Sequence, residues 1–155
     1  MLFGNPATGH IPPIGTPGVP AGTFRVTAPY NDVSAVHPVP HKGIDLSDRR
    51  CGSPVLAAAA GTVVLAGIPW WAHGANVIRI RHAQPAGVWD WRTEYAHMVT
   101  VAVKVGQQVA EGQVIGHVGT TGNSTACHLH FGTAIHRASG AWAPRDPWLY
   151  LKQNV

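Results

Sequence analysis

The chain has 155 residues, enough for one domain with a single core. Its 18 glycines and 13 prolines, set against only 11 basic and 7 acidic residues, fit a loop-rich all-β fold rather than a helical one. The net charge of +4 favours an anionic partner, but the basic residues are scattered, which argues against nucleic acid, and no apolar run approaches the roughly 20 residues of a membrane span.

Residues 1–22 hold five prolines and five glycines and should have no core of their own, so they are read as an extended arm or linker ahead of a domain over residues 23–155. The start, Met1-Leu2-Phe3-Gly4-Asn5-Pro6, lacks the basic-then-apolar layout of a signal peptide. Short strands separated by Gly or Pro are predicted over 24–28, 54–57, 62–66, 76–81 and 92–98. Two more, over 99–105 and 113–118, are joined through a stretch whose Gly106 and Gly112 suit tight turns. That stretch also resembles a biotinyl or lipoyl carrier hairpin, but Lys104 lacks the neighbours such a carrier lysine needs. Asp146 ahead of Pro147 predicts a capped helical turn at the C-terminal end.

Chemistry enters with Thr125-Ala126-Cys127-His128-Leu129-His130-Phe131. In a strand, Cys127, Leu129 and Phe131 would face the core and the two imidazoles would project together from the other face, at metal-ligand spacing. Alone, His-x-His is more often a strand with two surface histidines. Upstream, however, His41-Lys42-Gly43-Ile44-Asp45 sets a nitrogen donor and a carboxylate four apart, and Gly43 with Pro38 and Pro40 argues for an extended segment. There His41 and Asp45 share a face while Ile44 and Leu46 enter the core. Two imidazoles and a carboxylate suit zinc, and three protein ligands with a fourth position left to water describe a catalytic site. A third element, Tyr95-Ala96-His97-Met98, adds a histidine at the end of a strand.

His41-x-Gly43-x-Asp45, Tyr95-Ala96-His97 and Gly119-Thr120-Thr121-Gly122-Asn123-Ser124-Thr125-Ala126-Cys127-His128-Leu129-His130-Phe131 resemble, in that order, the motifs of the lysostaphin-like (LytM, M23) zinc peptidases, which cut peptidoglycan peptides. The resemblance implies a compact antiparallel β-sheet, barrel-like, with long loops. It implies a Zn2+ cofactor held by His41, Asp45 and His130, with His97 and His128 as the two catalytic histidines that do not bind the metal. Two departures are visible. Ala126-Cys127 stands where Gly-Pro or Gly-Cys commonly precedes the first histidine of the pair, and Gly132 stands where Glu commonly follows the phenylalanine. Similar peptidases often pair cysteines at the positions of Cys51 and Cys127, which implies a disulfide between them, bracing the strand of His128 and His130.

No His-Glu-x-x-His sequence exists here, so proton transfer falls to His97 and His128, in an order the residues leave open. The bond cut is also open, because glycine bridges and D-Ala to diaminopimelate links are both cleaved within the resembling family. Indoles in loops can line a groove, so Trp89 and Trp91 are expected to touch substrate, within a specificity loop over 83–93, with Trp70 and Trp71 in a second loop. His10, His37, His73, His82, His117 and His136 lack paired spacing with the site, save that His37 stands four before His41, and are expected to be structural or solvent-facing.

A leaderless short chain with wall-directed chemistry points to a phage. The expectation is a virion-associated tail lysin that opens the wall locally, with residues 1–22 docking onto tail or other virion proteins, acting in the virion or the host cell-wall space. Neither nucleic acid nor membrane is expected as a partner. A free endolysin, an inactive wall-binding module of the same fold and a zinc D-alanyl carboxypeptidase are the alternatives.

Overall fold

A computed structural model describes residues 13–14, 24–35, 37–83 and 90–152. The strands are β1 (Arg25–Ala28), β2 (Ile44–Ser47), β3 (Pro54–Leu56), β4 (Gly61–Gly67), β5 (Asn76–His82), β6 (Trp91–Val101), β7 (Gln108–Val109), β8 (Val114–Val118), β9 (Leu129–His136) and β10 (Trp142–Arg145), followed by the short helix α1 (Pro147–Lys152). All pairings are antiparallel, and the main path runs β1-β2-β9-β6-β5-β4-β7 without closing into a barrel. The expected all-β antiparallel fold is therefore present, as an open sheet. Among the described residues no helix is long and apolar enough to cross a membrane.

Period-two alternation sorts the central strand β9. Leu129 and Phe131 point into the core and are fully buried, together with Ile44 and Leu46 of β2, Tyr95 of β6, and Ile78 and Ile80 of β5. His130 and Gly132 therefore occupy the opposite face. Removal of this apolar surface from water, at about 25 cal/mol per Å², is what holds the register of β2, β9 and β6. The Tyr95 hydroxyl accepts the backbone N–H of Ala58 at 2.9 Å, and burial pushes the phenol up to about 12.

β6 breaks the alternation. Tyr95 and Met98 are both fully buried, three residues apart, which a regular strand forbids. A register shift against β5 lies in this stretch, a second one, against β8, follows between Met98 and Thr100, and His97 adopts φ +64°. A bulge at Ala96–His97 thus flips the phase and turns His97 out of the core. The Met98 carbonyl then accepts hydrogen bonds from Asn76 Nδ2 and Thr121 Oγ1, both at 2.9 Å.

Other boundaries differ from the sequence expectation for local reasons. No separate strand covers 99–105; β6 continues to Val101, and the chain then turns, with Gln107 N–H bonding to the Lys104 carbonyl. β9 begins at Leu129 rather than Thr125, because the Ser124 hydroxyl bonds to the Ala126 carbonyl and keeps the preceding residues out of the ladder. The helical turn is as expected, with the Asp146 carboxylate accepting the Trp148 N–H at 2.9 Å. Of residues 1–22, only Pro13 and Ile14 are described. Ile14 is buried against the core and bridges to Val55, and the Pro13 carbonyl accepts the Leu56 N–H.

Candidate metal centre and cleft

Three strands set the site in one row: Asp45 of β2 lies opposite His130 of β9, which lies opposite Ala96 of β6. His41 stands on the turn before β2, not on a continuous strand as the i, i+4 argument assumed, yet it reaches the same point. His41 Nε2, Asp45 Oδ1 and His130 Nδ1 form a triangle with sides of 2.9, 3.2 and 3.2 Å. An ion about 2.0–2.2 Å from all three corners fits that triangle, and the donor set of two imidazole nitrogens and one carboxylate oxygen matches a zinc-like divalent ion. His41 Nδ1–H donates to the Pro29 carbonyl at 3.1 Å, which fixes the tautomer and leaves the Nε2 lone pair for the site.

Gly43 makes the approach of His130 possible. A Cβ at residue 43 would lie 2.6 Å from the Phe131 carbonyl oxygen and 2.7 Å from Cε1 of His130. The middle residue of the His41-x-Gly43-x-Asp45 motif is therefore a packing requirement of the imidazole across the sheet.

The electrostatics favour cation binding. Burial acts to raise the Asp45 carboxyl, but hydrogen bonds from His130 and His41 and their charges outweigh it and hold it well below the usual carboxylate range. Burial lowers the His41 imidazole, while its hydrogen bond and attraction to Asp45 raise it more, so its pKa ends above 6.5.

His97 and His128 sit beside this triangle with ring centroids 4.8 Å apart. His97 Nδ1–H donates to the Thr121 carbonyl at 2.7 Å, and His128 Nδ1–H donates to the Ala126 carbonyl at 2.8 Å, so each keeps Nε2 free for proton transfer. His128 Nε2 lies 3.6 Å from Asp45 Oδ2. Burial is the main cause that pushes the His97 pKa below its ordinary value, and the neighbouring His128 and His130 add to it. The left-handed backbone of His97 is held by Thr121, whose N–H and carbonyl both bond to that residue. The Gly119-to-Ser124 loop is thereby pinned to the bulge that aims His97.

Cys51 and Cys127 form the expected disulfide, 76 residues apart, directly before His128. His82 packs as expected: Nδ1–H donates to the Ala60 carbonyl and Nε2 accepts from Thr93.

The row opens into a cleft of ≈ 590 Å³ lined by His37, His41, Asp45, His97, His128 and His130 at one end and by Trp71, Ala75, Val77 and Ala96 along its floor and wall. Small residues make the floor, which leaves room for an extended chain. Trp71, in the short helical turn Trp70–Ala72, supplies the indole in this wall. Trp91 opens β6 instead of standing in a loop; it stacks on His82 at 3.8 Å and is not among the residues lining the cleft. Trp89 lies outside the described residues.

Sequence spacing also passed over His37. Its Nδ1–H donates to Asp32 Oδ2 at 3.1 Å, its Nε2 lies 3.6 Å from Asp45 Oδ2, and its ring stacks on His41 at 4.3 Å. His37, His41 and Asp45 can each present one donor atom within 4.8 Å of the others. The signal was present: the four-residue interval from His41 to Asp45 recurs from His37 to His41.

The profile of peptidase family M23 matches residues 39–142. The chain belongs to that family. This M23 chain is 38% identical over 112 residues to lysostaphin of Staphylococcus simulans, covering 72% of the chain and 21% of that protein. It is 35% identical over 113 residues to the peptidoglycan DD-endopeptidase ShyA of Vibrio cholerae, covering 70% of the chain and 24% of that protein. The solved structure of S. simulans lysostaphin superposes with a TM-score of 0.68 at 30% identity, covering 84% of this chain and 50% of that one. A zinc-containing peptidase from Vibrio cholerae gives 0.63 at 25% identity, covering 86% and 39%. The M23 chain thus spans about a fifth to a quarter of the length of these curated relatives. All five motif positions, His41, Asp45, His97, His128 and His130, lie within the matched residues and within the cleft.

Proposed function

We propose that this M23 chain is a zinc-dependent endopeptidase that hydrolyses peptide bonds in bacterial peptidoglycan. The observation that carries the reading is the convergence of three metal-type donor atoms with two tautomer-fixed imidazoles at the end of an open cleft. Zinc on His41, Asp45 and His130 would supply Lewis-acid polarisation of the scissile carbonyl and a water of lowered pKa. The chain's own residues supply the rest. His97, kept neutral by burial, is suited to accept a proton at Nε2, and the His97–His128 pair is placed to stabilise developing charge and return a proton to the departing amine. Ala96, Ala75 and Val77 leave the extended peptide room to lie along the sheet, with Trp71 at its side.

Release of new amino groups from purified cell walls by the zinc-loaded protein, stopped by a chelator and restored by zinc, tests the reading; walls left intact would refute it. The setting we propose is a phage particle, with the Gly- and Pro-rich residues 1–22, anchored on the core at Ile14, supplying a tether that raises the effective concentration at the wall. Mass spectrometry of purified virions tests that setting, and absence of the protein from them makes a free endolysin the better reading.

A further inference from the structure

Two residues beyond His130, on the same face of the central strand, the sheet carries no side chain. Gly132 is buried opposite Glu94 of β6. A Cβ there would meet nothing closer than 3.5 Å, and the backbone does not adopt a positive φ, so neither packing nor conformation requires glycine. A glycine inside a strand weakens it, and close approach of a ligand is one of the few reasons for its presence. Above Gly132 lies a pocket of ≈ 220 Å³ that shares Glu94 with the catalytic cleft.

The walls of this pocket are cationic. Lys42, Arg79 and Arg92 face a single carboxylate, that of Glu94. Glu94 is already bound by Arg79 Nε, and the guanidinium of Arg79 is held over the Trp71 ring at 4.3 Å. Its terminal nitrogens make no hydrogen bond within the described residues. Arg92 lies over the Trp142 ring at 4.6 Å and pairs with no carboxylate among the described residues. Burial, and next the positive charge of Arg79, disfavour the Arg92 cation against the attraction of Glu94, and a second anion in the pocket would add to that attraction. Two planar guanidiniums immobilised on indoles present forks to a carboxylate with little ordering left to lose.

We infer that this pocket binds a free carboxylate of the peptide substrate, next to the scissile bond. The inference rests on the peptidase reading above and names the specificity of that same site. Alternate residues on a strand are about 7 Å apart, so a group over Gly132 lies within one or two residues of an amide presented at His130. A glycine bridge carries no carboxylate there. A D-Ala to diaminopimelate link carries one on the carbon that bears the scissile nitrogen, and the pocket selects links of that kind.

The test uses two synthetic cross-linked peptides, identical except that this carboxylate is free in one and a carboxamide in the other. The zinc-loaded protein should cleave the acid with kcat/KM at least about tenfold above the amide. Arg92→Gln and Gly132→Glu, which respectively remove a cation and place a carboxylate in the pocket, should bring that ratio to within about twofold of one. Gly132→Ala, whose Cβ fits at 3.5 Å, should keep it. Equal cleavage of acid and amide, or a ratio unchanged in both Arg92→Gln and Gly132→Glu, overturns the pocket while leaving the peptidase reading in place. Calorimetric titration of the metal-free protein with the same two peptides decides the pocket independently of hydrolysis: the acid should bind more tightly and lose that advantage in Arg92→Gln. If neither peptide is cleaved, the peptidase reading falls, and equal binding of acid and amide removes the pocket with it.

Discussion

Gly43→Ala is the sharpest steric test of the site, because it adds one methyl group and touches no charge. The new Cβ would sit 2.6 Å from the Phe131 carbonyl oxygen and 2.7 Å from His130 Cε1, where ordinary contacts begin at 3.4 Å. The shortfall, about 0.8 Å against the carbonyl and about 0.7 Å against the ring, must be taken up by a small separation of residue 43 from β9 and by the imidazole. Phe131 is paired with Ile44 and fully buried, so the strand is the stiffer of the two and the His130 ring is expected to swing. Overpacking of this kind costs about 1–3 kcal/mol, which for a domain of this size lowers the melting temperature by roughly 2–12 °C. A displaced ligand ring should also weaken zinc binding by about 10- to 100-fold. Calorimetric melting and zinc competition against a chromophoric chelator measure the two effects. Melting within about 0.5 kcal/mol of the unaltered protein together with unchanged zinc affinity would refute the packing argument.

His97→Ala and His128→Ala should each retain one zinc per chain and lose on the order of 100-fold or more in turnover, and normal turnover in either removes the role given to that residue. Zinc affinity should fall as pH drops through a range that begins above 6.5, because His41 has a raised pKa without metal and must release its proton to bind it; a pH-independent affinity between 5.5 and 8 would contradict this. A thiol assay on denatured, never-reduced protein should find no free cysteine, and Cys51→Ser with Cys127→Ser should destabilise the fold by about 4 kcal/mol in urea unfolding if loop-closure entropy dominates.

The parts of the site that follow strand periodicity were legible from the chain. Leu129 and Phe131 inside with His130 outside is plain alternation, and it set the face on which Asp45 and His130 meet. The convergence of His41 was legible only as a spacing, since the turn that delivers it is tied through its backbone to Asn31 and Asp32, with the His41 carbonyl accepting the Asn31 N–H and the His41 N–H donating to the Asp32 carbonyl. His97 was readable as a site residue by resemblance but not by pattern. Alternation from Tyr95 would put it in the core, and the bulge that prevents this is held by Asn76 and Thr121, distant in sequence. His37 and Trp71 arrive from loops, whose course is set by tertiary contacts rather than by any period. Trp91 shows the converse error, a strand residue taken for a loop residue because the residues before it carry Gly and Pro.

Metal analysis of ligand variants tests the central claim most directly. After dialysis against a chelator, loading with one equivalent of zinc and desalting, the unaltered protein should hold one zinc per chain, as should His97→Ala, whereas Asp45→Ala and His130→Ala should hold essentially none. One tightly bound zinc in Asp45→Ala or in His130→Ala would contradict the assignment of the metal to His41, Asp45 and His130.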